Sequence, residues 1–353
     1  MKNILLIYRG RVFSSEIKPK LDEYKNNNFV LVVESDLTKN NIKLLLKGYD
    51  YEQKIKIITI HEFLNKGVID NMEFDNVIIN GPYQIQVGPR KTKQIWGEIN
   101  EKGLSLVKNN GGTFTTWHPI GWRNISGDYR YIFNLYKSYN VTRIDMHDIN
   151  TGMKVFGAKT PFDVVYITKQ PYQNKTELNF MDGTQKVVDI TDLEFIPNSM
   201  FDEVMSLVAK PNEEKVEVIK DSTYHTQRSH MSSEKVGEFK YPCVYSILMD
   251  GTTNLYYSST NQKGHFNIPK LILGYGANPT STIDKNGEYG VTQYSFGIVD
   301  NVENLSMIQK ALNSEGFKKI TNESLKYIAT QGQPLIHPNI ISLFRKDFWK
   351  DFV

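Results

Sequence analysis

Short apolar runs alternate with amphipathic stretches through the first 170 residues. Residues 3–8 and 29–34 are apolar runs. Helical patterns follow over roughly 15–26, and over 38–48 with Ile42, Leu45 and Leu46 on one face. A third run covers 55–60, with a short helix near 61–67, and a fourth covers 75–79. The helical spacing of Ile95, Ile99, Leu104 and Leu106 predicts a helix over 93–108, stopped at Asn109-Asn110-Gly111-Gly112. A fifth strand at 113–117, a helix at 128–139 and strands at 141–147 and 163–168 complete the series. Strands that are apolar throughout and separated by helices belong to a parallel sheet covered on both faces. The last two strands are joined only by the turn-rich stretch Asp148 to Pro161, which reads as too short and Gly-rich for a crossover helix, so they are expected to run antiparallel.

From 173 onward turns crowd in, at Met181-Asp182-Gly183, Met249-Asp250-Gly251 and Asp284-Lys285-Asn286-Gly287, between short alternating runs. Helices are predicted at 199–209, 302–313 and 338–352. A chain of 353 residues exceeds the usual size of one core. The expectation is therefore an α/β domain over 1–172 and an α+β domain over 173–353, with the boundary near Pro171.

Composition narrows the class. With 40% apolar and 23% charged residues the chain is an ordinary globular one. Its one cysteine, Cys243, excludes an internal disulfide framework and fits a reducing compartment. The N-terminal apolar run ends at Tyr8 and Arg9, which suits a buried first strand better than a signal peptide. No stretch approaches the roughly 20 apolar residues of a membrane span. A soluble, cytoplasmic protein is expected. The net charge of +3 is unevenly spread: residues 1–170 carry 24 Lys/Arg against 17 Asp/Glu, and residues 171–353 carry 18 against 22. The basic first half suits a phosphate-bearing partner. No cluster of carboxylates and histidines has ligand spacing, and His225 and His230 alone read as surface residues, so no metal site is expected.

Directly after the fourth strand stands Asn80-Gly81-Pro82-Tyr83. It resembles the Asn-Pro-Pro-Tyr motif of the amino-group DNA methyltransferases, with glycine at the second position. The adenine N6 lone pair is delocalised into the ring and is a poor nucleophile. An Asn side-chain oxygen and the next backbone carbonyl can accept both N6 hydrogens and favour a pyramidal nitrogen, while an aromatic ring stacks on the base. Asn80, the Gly81 carbonyl and Tyr83 would supply these parts. Glycine keeps the carbonyl but loosens the backbone by roughly 0.5–1 kcal/mol.

Further segments carry the resemblance. Gly88-Pro-Arg-Lys-Thr-Lys-Gln-Ile-Trp96 and Leu104-Ser-Leu-Val-Lys-Asn-Asn-Gly-Gly112 look like the matching parts of the gamma-type adenine-N6 DNA methyltransferases. Phe156, in Val155-Phe156-Gly157-Ala158-Lys159-Thr160, stands where that family places a ring on the other face of the flipped adenine. Gly264–Lys270, Asp284–Gly290 and Leu343–Trp349 look like its C-terminal target-recognition region. The resemblance implies the seven-stranded, Rossmann-like methyltransferase sheet, S-adenosyl-L-methionine as cofactor and double-stranded DNA as substrate. A restriction subunit or partner methyltransferase subunit is a further implied partner.

The cofactor half departs from the family. Where the pattern has an acidic or small residue and several glycines, this chain reads Ile7-Tyr8-Arg9-Gly10-Arg11-Val12-Phe13. Tyr8 and Gly10 are the candidates there. Glu34, or else Asp36, follows the second strand, where a carboxylate would bind the ribose hydroxyls. Glu62, after the third, would reach the cofactor's adenine ring. Two readings stay open: a site-specific DNA adenine-N6 methyltransferase, or a DNA-binding pseudo-methyltransferase that has lost the cofactor. Arg90, Lys91, Lys93, Arg123 and Arg130 are expected to grip phosphates.

Overall fold

The computed structural model describes residues 1–8, 18–50, 52–65, 67–89, 91–125, 127–275, 280–326 and 337–353. The chain divides into two compact units, Met1–Arg123 with Asp128–Leu193, and Asn124–Gly127 with Glu194–Val353. Each is described by itself.

In the first unit the strands are β1 (Asn3–Tyr8), β2 (Asn28–Val33), β3 (Ile55–Thr59), β4 (Asn76–Asn80), β5 (Gln84–Gly88), β6 (Lys91–Gln94), β7 (Thr113–Pro119), β8 (Asn140–His147), β9 (Phe162–Thr168), β10 (Thr176–Asn179) and β11 (Gln185–Val188). The helices are α1 (Lys18–Glu23), α2 (Asp36–Leu46), α3 (Ile60–Leu64), α4 (Trp96–Ser105), α5 (Arg130–Lys137) and α6 (Ile149–Phe156). The main sheet has the order β11-β10-β8-β9-β7-β4-β1-β2-β3. β1 is parallel to β2 and β4, β4 to β7, and β9 lies antiparallel between β7 and β8. The run β8-β9-β7-β4-β1-β2-β3 is a Rossmann-like sheet that ends in an antiparallel hairpin, as expected. Ile4, Leu5, Leu6 and Ile7 are all fully buried, as a central strand covered on both faces requires.

Three features of this unit differ from the expectation. The stretch between β8 and β9 does contain a helix, α6. Asp148 caps it by accepting from Thr151 N at 2.8 Å, and Gly157 ends it in the left-handed region at φ 67°. Gly152 inside it reads as a breaker but is required by packing, because a Cβ there would lie 1.9 Å from the Thr160 carbonyl oxygen. Second, the helix predicted from 93 starts at Trp96, because Lys91–Gln94 pairs with Gln84–Gly88 in a separate two-stranded ribbon. Third, β10 and β11 extend the sheet beyond β8, so the first unit runs to Leu193, past the 172/173 boundary drawn from sequence texture.

The second unit holds β12 (Glu217–Ile219), β13 (Met231–Ser232), β14 (Tyr241–Ile247), β15 (Thr253–Ser258), β16 (Lys270–Gly274), β17 (Ser281–Asp284), β18 (Gly290–Val291) and β19 (Ser295–Val299). They form two four-stranded sheets, β12-β19-β16-β17 and β13-β15-β14-β18. With them go α7 (Phe201–Leu207), α8 (Val302–Asn313), α9 (Glu315–Ile320) and α10 (Pro338–Ile341). This is an α+β unit, as expected. The helix predicted over 338–352 is interrupted: Phe344 and Arg345 form bridges with Val208 and Lys215, which takes their backbone out of the helical ladder. Two family-like segments meet in its core. Lys270 Nζ lies 2.7 Å from Asp284 Oδ2, both buried, and also donates to the carbonyls of His265 and Ile268. Asp284 accepts from Glu288 N and Tyr289 N. These residues clip the turn around Gly287. Among the described residues no helix is long and apolar enough to cross a membrane.

Candidate functional site

The parallel strands β1, β2, β3, β4 and β7 end on one edge, and the strand order reverses between β1 and β4. Ligands of open α/β sheets bind at such a switch point. Two candidates meet there by register, since Tyr8 closes β1 directly beside Asn80, the last residue of β4. Tyr8 is buried and Asn80 half-buried. Gly81 and Pro82 are buried in the turn that follows. A Cβ on Gly81 would sit 3.2 Å from Ile7 Cγ2, so a larger residue there requires the Ile7 side chain to give by a few tenths of an ångström.

Tyr83 follows and is half-buried, and so is Phe156 at the end of α6. Their rings lie 6.2 Å apart at 70°, edge to face. Phe156 also packs at 4.8 Å on Phe162, which stacks on His147 at 4.5 Å. Asn80 and Tyr83, on the turn that leaves β4, and Phe156, at the end of α6, thus reach the same end of the sheet. A row His147–Phe162–Phe156–Tyr83 borders it. His147 and Phe162 did not stand out in the sequence; the available signal was their place at the last residue of β8 and the first of β9, opposite each other in register.

The cofactor candidates are distributed along the same edge. Glu34 is exposed, immediately beyond β2 and before the Ser35 cap of α2. Glu62 is engaged: it accepts from Thr59 N at 2.6 Å, closing a capping box, and from Lys39 Nζ at 2.9 Å and 3.0 Å. Lys39, and then the Thr59 backbone, hold its carboxyl below the ordinary range. Gly10, with Arg9 and Arg11, lies outside the described residues, as does Arg90.

Beneath the edge is a buried polar cluster. Arg123, assigned to phosphate from the sequence, is fully buried: its Nε lies 2.8 Å from Asp163 Oδ2, and Trp122 Nε1 donates to the same oxygen at 2.7 Å. That expectation is corrected, since a guanidinium sealed in the core against β9 cannot grip DNA. His118 lies among Trp96, Trp122 and Tyr136, and burial first of all pushes its pKa down to about 4, keeping it neutral. Removing one partner of a buried ion pair costs about 3–5 kcal/mol. Arg123→Ala should therefore lower the unfolding free energy by that amount in a urea titration. A variant as stable as the parent but deficient in DNA binding would restore the phosphate role.

Lys91 and Lys93 are exposed on β6, Lys93 paired with Glu98 at 2.6 Å. Arg130 lies over the Phe133 ring at 4.8 Å.

No family model matches the chain, and no curated protein matches it. Solved structures give distant likenesses. One, from work on complex assembly of a type I restriction-modification system, has TM-score 0.40 and 10% identity, covering 50% of this chain and 40% of that one. A type I restriction-modification methyltransferase subunit from Streptococcus thermophilus has TM-score 0.39 and 11% identity, over 53% and 45%. An O-methyltransferase from Bacillus cereus in complex with SAH has TM-score 0.33 and 12% identity, over 48% and 74%. The chain thus spans less than half the length of the first two.

Proposed function

We propose that this chain is a site-specific DNA adenine-N6 methyltransferase that holds an adenine extruded from the duplex. The observation that carries the reading is the convergence of Tyr83 and Phe156, rings 6.2 Å apart, beside the Asn80 turn at the carboxyl edge of the sheet. Two rings stacked on opposite faces of a base stand about 7 Å apart. In the present arrangement the rings close that space on each other, so an entering base parts them by about an ångström and turns one of them. Both rings are half-buried. Asn80 Oδ1 and the Gly81 carbonyl then accept the two N6 hydrogens.

S-adenosyl-L-methionine, when bound, supplies an electrophilic methyl group. The described residues fit it at one point, the exposed Glu34 carboxylate, an acceptor of suitable charge for a ribose diol one strand away from β1. The second unit is read as the target-recognition domain, and a separate restriction or partner subunit as a further partner.

A second reading, a DNA-binding pseudo-methyltransferase, draws support from Glu62, whose carboxylate is already held by Lys39 and the α3 cap. Titration calorimetry separates the two. The transferase reading expects micromolar binding of S-adenosyl-L-methionine, weakened about tenfold or more by Glu34→Ala. No heat of binding, with or without DNA, would decide for the pseudoenzyme.

A further inference from the structure

The ribbon β5–β6 begins one residue after Tyr83 and forms a two-stranded sheet of its own. Its register sets Gln84 opposite Gln94 and Gln86 opposite Thr92, so these four side chains share one face. All four are exposed. Gln86 uses one amide N–H on the Gly88 carbonyl at 3.2 Å. The opposite face carries Ile85 across from Lys93, with Lys91 two residues before it. The stretch 84–94 contains three basic residues, Arg90, Lys91 and Lys93, and no carboxylate.

A ribbon kept only as a connection needs no such face. Three amides and a hydroxyl side by side, on a ribbon whose own sequence carries three basic residues and no carboxylate and whose Lys93 is paired with the neighbouring Glu98, match a ligand that offers both donors and acceptors inside a negatively charged wall. We propose that β5–β6 is a major-groove reader, whose Gln84, Gln86, Thr92 and Gln94 face addresses the base edges flanking the target base.

The dimensions agree. Two strands about 4.8 Å apart, with their side chains, enter a major groove about 12 Å wide but not a minor groove of about 6 Å. Residues two apart on a strand are separated by about 6.7 Å, close to two base-pair steps of about 3.4 Å. A glutamine amide can donate to adenine N7 while accepting from its N6. Lys91, on the face turned from the bases, has a stem long enough to reach a phosphate along the groove wall, while Lys93 is paired with Glu98. This inference rests on the DNA-methyltransferase reading for the identity of the partner, and its test reads binding rather than transfer.

The full chain is equilibrated with a pool of duplexes in which base pairs flanking a fixed adenine are randomised, and the bound fraction is sequenced. The parent is expected to enrich particular pairs at positions two steps apart. Gln84→Ala/Gln86→Ala/Gln94→Ala should lose about tenfold of that preference with an unchanged melting temperature, in the range that bidentate amide–base contacts supply. Gln86→Glu should instead move one position away from adenine and toward cytosine, because a carboxylate only accepts. The same sequence profile in parent and both variants overturns the proposal, and so does a parent that binds no duplex. A chain that selects duplexes through these glutamines but transfers no methyl group keeps the ribbon assignment and fails the transferase reading alone.

Discussion

Expressed in a host without adenine methylases of its own, the parent chain should leave N6-methyladenine at one short sequence context, and Asn80→Ala should leave none detectable. The expectation follows from what N6 lacks as a nucleophile. Its lone pair is shared with the ring, and the only gain the protein can offer is acceptors placed where the hydrogens of a pyramidal nitrogen point. Asn80 ends β4 beside Tyr8, so its backbone is fixed by a central strand and its position does not depend on a loop. Loss of one such preorganised polar partner typically lowers turnover by about 10²–10³. The check is single-molecule or immunochemical detection of N6-methyladenine, with protein level and melting temperature held equal. Methylation that persists in Asn80→Ala would mean that the chemistry is located elsewhere.

The second large effect concerns extrusion of the base. Flipping costs a few kcal/mol, and stacking on an aromatic ring returns roughly 1–3 kcal/mol per contact. Two rings are therefore of the right size to offset the cost, and one is not. With 2-aminopurine at the target position, binding of the parent should raise its fluorescence strongly. Phe156→Ala should remove most of that signal and weaken specific binding by about tenfold to a hundredfold, leaving non-specific duplex binding nearly intact. Tyr83→Ala should act similarly. A mismatched target should bind the parent more tightly than a paired one, since its extrusion costs less. Phe156 is half-buried and touches Phe162 and Tyr83 only at ring edges, so its truncation should leave the fold in place. A Phe156→Ala chain that fails to fold would make the residue a core element. Stable variants of both residues that bind every duplex like the parent would remove the pocket.

The parallel sheet was legible because its central strands β1 and β2 are apolar on both faces, a pattern that survives in one sequence without help from neighbours. The turn at Asn80 was legible for the same reason, since it directly follows such a strand. Phe156 could be singled out from the resemblance, but not the helix that presents it: Gly152 and Gly157 read as breakers, whereas one answers a close backbone approach and the other a left-handed cap. The end of the ribbon, Lys93 and Gln94, falls inside the helix predicted from 93 because Lys91–Gln94 has no apolar alternation; its pairing depends on a partner strand. Arg123 failed for a related reason. An arginine after a strand reads as surface, and its carboxylate partner lies 40 residues away on β9. Glu62 could have been assigned from the sequence, because Thr59-Ile60-His61-Glu62 has the spacing of a capping box.

The contact at Gly152 constrains how this chain can vary over generations. With the Thr160 carbonyl oxygen 1.9 Å from where any Cβ would project, substitution there displaces α6 or the turn before β9, and with it the ring four residues on. Descendants can exchange Met153, Lys154 and Val155 freely by comparison, since all three are exposed. Selection on the pocket should therefore leave a spaced trace, a glycine and an aromatic four positions apart between two antiparallel strands, even after the intervening letters have drifted. Such a spacing can find relatives that comparison of whole sequences misses.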